Sequence, residues 1–202
     1  MSAAEPRPGA VDAQVAAELP GVALWWLRVP GAPEPVGEAL QRRMRVLSDR
    51  LRGSDAVTLR TRPVVRSYRA FARQIGLDPD QDRVPAERAA LARLMHGGLA
   101  ARDRIEAACV VAAVETGVGV WALDAAAVAP EGPELRVADG ALVIADPGRV
   151  HAPLLGDPLP GSAPGPRTRA VVLFTLGVPG VPEVHLHEAL WQAQNGLGAG
   201  DD

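Results

Sequence analysis

A change of periodicity at Gly117 constrains the fold more than any other feature of the sequence. Before it, apolar residues recur with helical spacing and predict four helices, at about 36–52, 63–75, 85–96 and 103–116. After it, apolar runs bounded by Gly, Pro and Asp predict short strands, at 118–123, 134–137, 141–145, 150–154 and 170–176. A strand at 22–29 precedes the helices, and a helix at 182–195 closes the chain. This order predicts an α+β fold in which helices pack on one side of a mixed sheet.

One of the predicted helices belongs in the interior of the protein. From Ala107 to Val114 it carries no charge and is apolar nearly all round, and a helix without a polar face packs inside a core. The same run is far shorter than the ~20 residues of a membrane span. The N-terminus lacks the apolar segment of a signal peptide, and the single cysteine, Cys109, fits a reducing compartment. We therefore expect a cytoplasmic protein with no membrane partner.

Length and local composition predict one domain. A chain of 202 residues is long enough to bury a core without a disulfide or a metal ion. Residues 1–10 are rich in Pro, Gly and Ala and are expected to be frayed, and residues 197–202 are expected to form a disordered tail. The predicted domain therefore covers residues 11–196.

Positive charge is concentrated in one part of the chain. All 21 basic residues are arginine, and 15 of them lie within residues 42–104 beside only 7 acidic residues, although the formal net charge is −3. Four of these arginines recur at helical spacing and form an arginine stripe: Arg62, Arg66, Arg69 and Arg73. Such a stripe suits contact with an RNA backbone. The alternative is a solvated helix face that pairs with nearby acidic residues, namely Asp78, Asp80, Asp82 and Glu87.

Several strings match ligand-binding motifs only in part. The aspartates at 78–82 lack the later Gly and Glu of a calcium loop. The string at 117–122 matches the dinucleotide fingerprint, but it follows a helix and enters a strand, which is the reverse of the required order. His185 and His187 would point about 200° apart on a helix, and Cys109 has no basic neighbour in sequence that would activate it. We therefore predict neither a metal ion nor a cofactor.

Four strings together carry a resemblance to a known family. They are 66–71 (RSYRAF), 75–79 (IGLDP), 97–99 (GGL, before the apolar helix) and 139–146 (DGALVIAD). In order and spacing they resemble the B-three/B-four domain of the phenylalanyl-tRNA synthetase beta subunit, a domain that also occurs as free-standing bacterial proteins. The resemblance covers about residues 10–197. It implies the mixed α/β fold of an editing domain.

In the synthetase this domain is the editing site. It hydrolyses the ester of tRNA mischarged with tyrosine and so maintains translation fidelity. The resemblance therefore implies that the partner is tRNA or aminoacyl-tRNA. It implies no metal ion, and DNA binding is not expected. The expected catalytic residues are Asp103, Glu106 and His151, with His151 as a general base near neutral pH. The expected RNA contact is the arginine stripe, and the expected pocket residues are Tyr68, Asp124 and Gly140.

The chain also departs from the family at positions where polar residues are common. Ala86 stands where Ser is usual, Ala107 where an acid is common, Val110 where Asn is common, and Ala141 where Glu is usual. Each departure removes a polar group from the expected pocket. Three functions therefore stay open: an editing-like hydrolase or binder of aminoacyl-tRNA, an inactive module that binds an amino acid, a tRNA or a protein, and an enzyme with a substrate other than RNA.

Overall fold

The computed structural model of the chain describes residues 4–51 and 58–198. Its strands are β1 (Arg7–Val11), β2 (Ala23–Pro30), β3 (Trp121–Asp124), β4 (Glu134–Ala138), β5 (Ala141–Ala145), β6 (Val150–Pro153) and β7 (Ala170–Gly177). Its α-helices are α1 (Ala13–Glu18), α2 (Glu38–Arg50), α3 (Pro63–Gln74), α4 (Pro85–His96), α5 (Arg104–Thr116) and α6 (Glu183–Gly198). A short 3-10 helix at Ala125–Ala127 follows β3. None of the helices in the described ranges is long and apolar enough to cross a membrane.

The seven strands form one mixed sheet in the order β3-β7-β2-β1-β4-β5-β6. Its longest ladder joins β2 and β7 antiparallel, from Ala23 opposite Gly177 to Pro30 opposite Ala170. Strand β1 pairs antiparallel with β2 and parallel with β4, so it joins the two parts of the sheet. The predicted mixed α+β class is confirmed at this level.

Strand β7 is covered on both faces. Successive residues of a strand point to opposite faces, and every residue from Val171 to Leu176 is buried. Helix α6 packs on one face, where the Trp25 ring lies 4.3 Å from the ring of His187. On the other face the strand register places Trp26, Phe174 and Trp121 in one row across β2, β7 and β3.

Helix α5 lies at the centre of the core, as its apolar run predicts. Residues 107, 108 and 111–114 are all buried. Helices α5 and α6 approach so closely that a Cβ at Gly196 would lie 2.9 Å from the Cβ of Ala108. The Asp103 carboxylate caps the start of α5 by accepting a hydrogen bond from the Glu106 N–H at 2.9 Å. Gly117 ends the helix in the left-handed conformation, with φ of +78°.

The two chain ends differ from the sequence-based expectation. Arg7–Val11 forms β1 instead of fraying, because it is paired on both sides and Gly9 lets the backbone pass close to Leu24. Helix α1 follows it and was not predicted. At the other end α6 continues to Gly198, since Leu197 is buried in the core. Residues 1–3 of the end predicted to be frayed and residues 199–202 of the tail predicted to be disordered lie outside the described residues.

Candidate functional site

A cavity of about 470 Å³ opens between α4, the start of α5, strand β3 and the loop at 157–164. Its volume falls within the usual range for small-molecule sites, roughly 300–1,000 Å³. Most of its lining is apolar, and the lining includes Arg88, Asp103, Glu106, Cys109, Val110 and Trp121. Of the site residues that the resemblance implies, Asp103 and Glu106 line this cavity.

The apolar wall of the cavity includes Trp121, whose orientation is fixed by its neighbours. Its ring stacks on Phe174 with centroids 5.6 Å apart and an interplanar angle of 16°. On the backbone side, a Cβ at Gly119 would lie 2.6 Å from the Trp121 ring, so only glycine fits there. Val110 and Ala122 line the cavity beside Trp121. This wall suits an aliphatic or aromatic group of a ligand.

Two carboxylates lie at the start of α5 and line the same cavity. Asp103 is the helix cap, and one Glu106 carboxylate oxygen accepts hydrogen bonds from both the backbone N–H and Nε of Arg102, each at 2.8 Å. Partial burial disfavours ionisation of Glu106, but the two Arg102 hydrogen bonds and the guanidinium charge outweigh it and lower its pKa. The Glu106 side chain is 37% exposed. An ionised, partly accessible carboxylate can receive a cationic group of a ligand.

An ion pair bridges two walls of the cavity. The guanidinium of Arg88 on α4 makes two parallel contacts with the Asp157 carboxylate, at 3.1 and 3.0 Å. Both side chains are about half-exposed or more, so the pair adds little stability. The ion pair is bidentate, and it joins α4 to the loop at 157–164.

Cys109 also lines the cavity but is not a nucleophile. Desolvation, together with the negative charges of Asp103 and Glu106, raises the pKa of its thiol to about 12. The thiol is therefore protonated at neutral pH. It adds a small, weakly polar surface to the apolar wall.

His151 does not lie in the cavity. Its side chain is fully buried, with Nδ1 3.0 Å from Oγ of Ser162 and Nε2 3.0 Å from Oδ2 of Asp146. The contact with Asp146 lacks the alignment of a hydrogen bond. A ring with no exposed surface cannot take a proton from a water at the cavity. The predicted role of His151 as a general base therefore does not fit its position.

His151 instead belongs to a buried polar network that fixes a cavity wall. Burial disfavours ionisation of Asp146, but backbone N–H groups of Ala129, Gly148 and Arg149, together with the His151 ring, lower its pKa overall. The Leu159 N–H donates to the His151 carbonyl at 2.7 Å. These bonds hold the loop after β6, which lines the cavity at Asp157, Pro158, Ala163 and Pro164.

Sequence reasoning missed Asp146 and Ser162 as members of this network. One local signal was present, because Asp-Pro-Gly at 146–148 is typical of a turn in which the Asp side chain accepts backbone N–H groups. Nothing local indicates that His151 contacts Ser162, because His151 lies in β6 and Ser162 lies in the loop that follows it.

The three expected pocket residues lie elsewhere. Tyr68 is fully buried, its hydroxyl donates to the Leu176 carbonyl, and burial raises its pKa. Asp124 accepts hydrogen bonds from the Thr168 hydroxyl at 2.7 Å and from the Ala126 N–H at 2.9 Å. Gly140 forms the turn between β4 and β5 with φ of +77°. None of the three lines this cavity.

The arginine stripe divides into two kinds of residue. Arg62, Arg66 and Arg73 are exposed and form no ion pair within residues 4–51 and 58–198. Arg69 is buried, and its guanidinium lies 2.9 Å from Glu87 and 2.8 Å from Asp80. The predicted RNA contact of Arg69 is therefore not available, because acidic residues already hold the side chain. The alternative of pairing with nearby acids holds for this one member.

Comparison of the chain with models of protein families and with curated proteins gives no match. In the part of the chain that the structure describes, no group of three or more His, Cys, Asp or Glu side chains is arranged to hold a metal ion. The cavity with Asp103 and Glu106 brings together two of the three expected catalytic residues. This cavity is the candidate functional site.

Proposed function

We propose that the chain binds the aminoacyl end of a charged tRNA, with the amino acid in the cavity beside Asp103 and Glu106. The observation that carries this proposal is the pairing of two carboxylates with an apolar wall in one amino-acid-sized cavity. The α-ammonium group of an aminoacyl ester is cationic and suits the carboxylates. The side chain of the amino acid suits the wall formed by Val110 and Trp121.

Exposed arginines support the RNA part of the proposal. Arg66 and Arg73 are exposed on α3, Arg62 is exposed at the residue before it, and none of the three forms an ion pair among the described residues. Helix α3 is tied to the start of α4 through the contact between Arg69 and Glu87. Guanidinium groups bind phosphate oxygens well, so these arginines are suited to the backbone of the bound RNA.

A second candidate is binding without hydrolysis, which the state of Glu106 favours. A general base works best when its pKa lies near the working pH, and Arg102 holds the pKa of Glu106 below its usual range. Cys109 is protonated and His151 is buried, so neither replaces it. The geometry therefore supports recognition of the aminoacyl group more strongly than catalysis.

A binding and deacylation experiment tests the proposal and separates the two candidates. The full chain is titrated with uncharged tRNA and with tRNA charged through a non-hydrolysable amide, and it is then incubated with tRNA charged through the natural ester. The charged tRNA is expected to bind about tenfold more tightly, the equivalent of one charge-assisted hydrogen bond. Equal affinity for charged and uncharged tRNA would refute the proposal. Loss of the ester above the spontaneous rate indicates hydrolysis, and a stable ester indicates binding alone.

The contribution of the exposed arginines is measured through salt dependence. Replacing Arg62, Arg66 and Arg73 with Gln should reduce the slope of log affinity against log salt concentration by roughly two, as expected for three lost phosphate contacts. A matched triple replacement on α2, at Arg42, Arg45 and Arg50, removes the same charge from another helix. If both triple variants lose the same slope, α3 is not the RNA contact.

A further inference from the structure

A second cavity, of about 640 Å³, lies away from the first and shares no lining residue with it. Strands β1 and β2 and the segment after the 3-10 helix form its walls. Its lining consists of Ala4, Glu5, Pro6, Arg7, Trp26, Arg28, Val128 and Pro130. Both arginines, Arg7 and Arg28, lie outside the arginine-rich part of the chain at residues 42–104.

Arg28 is held in position by backbone carbonyls and forms no ion pair among the described residues. Its guanidinium donates to the backbone carbonyls of Ala125, Val128 and Ala129 at 2.9, 3.2 and 3.3 Å. These acceptors are neutral, so the full positive charge remains. Three of the five guanidinium N–H groups are used, which leaves two for a ligand.

Arg7 brings a second guanidinium to the same cavity. It is exposed, lies 5.9 Å from the centre of the Trp26 ring, and pairs with no acidic side chain among the described residues. Trp26 is itself fixed, because a Cβ at Gly132 would lie 2.2 Å from its ring. A cation above an aromatic face is held there by the electron density of the ring, so Trp26 helps to position Arg7.

The balance of charge in the cavity is positive. Glu5 is its one acidic lining residue, and it forms no ion pair in the ranges that the structure describes. The cavity lining therefore carries two guanidinium groups and one carboxylate. Like charges that share a cavity repel each other unless an anion lies between them.

We propose that this second cavity binds a phosphate group. A phosphate monoester carries about 1.5 to 2 negative charges at pH 7, more than the single charge of a simple carboxylate, so it is better matched to two guanidinium groups. The planar guanidinium also matches two phosphate oxygens at once. The cavity is larger than a single phosphate, and the ligand chemistry is therefore that of free phosphate or of a small phosphate monoester. The site is independent of the aminoacyl cavity and does not rely on its function.

The test is isothermal titration of the full chain at low ionic strength with inorganic phosphate, AMP and adenosine as separate probes. Phosphate and AMP are expected to bind, and adenosine is not. Tighter binding of AMP than of phosphate assigns the site to a phosphate monoester, and equal binding assigns it to the free ion. Binding of adenosine as strong as that of AMP would overturn the proposal, because the phosphate would then contribute nothing.

Two exposed residues provide variants with opposite expected effects. Arg7→Gln removes one cation and should weaken phosphate binding about fivefold, and Glu5→Gln removes the competing anion and should tighten it about threefold. Arg42→Gln on α2 makes the same change of charge as Arg7→Gln away from the cavity and should leave the affinity unchanged. No binding by the native chain, or one common affinity for the native chain and all three variants, would overturn the proposal.

Discussion

Replacing Arg69 with Ala should destabilise the fold strongly, whereas the same change at Arg66 on the same helix should have almost no effect. The two residues belong to one stripe in the sequence, but their surroundings differ. The Arg69 side chain is 8% exposed and lies against Glu87, which is 5% exposed, whereas Arg66 is exposed and unpaired within the described residues. The comparison therefore separates an arginine that holds the fold from one available to a ligand.

The expected magnitude follows from the carboxylate that Arg69 leaves behind. Breaking a buried ion pair by removing one partner typically destabilises a protein by about 3–5 kcal/mol. Arg60 lies 3.7 Å from the same Glu87 oxygen and replaces part of the lost attraction. Asp80 is half-exposed, so its contact with Arg69 adds little. We therefore expect a loss of about 3 kcal/mol for Arg69→Ala and less than about 0.5 kcal/mol for Arg66→Ala.

The stability lost in Arg69→Ala should also increase with pH. Burial raises the pKa of Glu87 above its ordinary value, and Arg69 opposes that shift. The pKa of Glu87 is therefore higher in the folded chain than in the unfolded chain. As the pH rises through the folded pKa, Glu87 ionises in its buried position and the free energy of unfolding falls. Removing Arg69 raises that pKa further, so the effect of Arg69→Ala should be larger at pH 7.5 than at pH 4.

Urea unfolding followed by circular dichroism measures both effects. For a slope of about 2–3 kcal/mol per molar urea, a loss of about 3 kcal/mol moves the midpoint by roughly 1 M. The double variant Arg69→Met/Glu87→Leu leaves no buried charge at these two positions and should be more stable than Arg69→Ala. If the midpoint of Arg69→Ala lies within about 0.2 M of that of Arg66→Ala, roughly a fifth of the expected shift, the structural role given to Arg69 is wrong.

Three further predictions concern the walls of the first cavity. Ser162→Ala leaves the His151 ring without its 3.0 Å partner and should destabilise the protein by about 1–3 kcal/mol. Backbone hydrogen exchange should increase in residues 154–168. Unchanged exchange there would show that the buried polar network does not hold that loop. The lowered pKa of Asp146 means that its ionised form stabilises the fold above about pH 4 and that this contribution is lost as the pH falls through the folded pKa. The difference in unfolding free energy between the native chain and Asp146→Asn should therefore shrink from pH 6 to pH 2, and a constant difference would contradict the cause given for the shift. Because the pKa of Cys109 is about 12, its reaction with a disulfide reagent at pH 8 should be roughly a hundredfold slower than that of free cysteine, since the scarcity of thiolate outweighs its higher nucleophilicity. A rate equal to that of free cysteine would show that the thiol is not desolvated.

The helices and most strands were predictable because their signals are local. Helix α4 has the bounds that its periodicity predicts, and α5 lies in the core because it has no polar face. Strand β1 was missed because Pro8 and Gly9 are typical of loops. What makes this segment a strand is pairing with β2 and β4, which lie far away in sequence.

The candidate site was predictable only in part for the same reason. Asp103 and Glu106 lie on one helix start, so their shared location follows from helical geometry. His151 lies in a short strand, and a sequence does not say whether such a side chain faces a cavity or a buried serine. Arg69 and Arg66 share one stripe, and only the tertiary approach of Glu87 and Asp80 distinguishes them. Pairings between distant segments therefore account for what sequence reasoning missed.

The most direct test of the proposed function is the ratio of affinities for charged and uncharged tRNA, measured in three proteins. These are the native chain, the double variant Asp103→Asn/Glu106→Gln, and the control Glu38→Gln, whose side chain is 83% exposed on α2. We expect the native chain and the control to prefer the amide-linked aminoacyl-tRNA about tenfold, and the double variant to bind both RNAs equally. A preference that survives in the double variant would contradict the placement of the aminoacyl group beside Asp103 and Glu106.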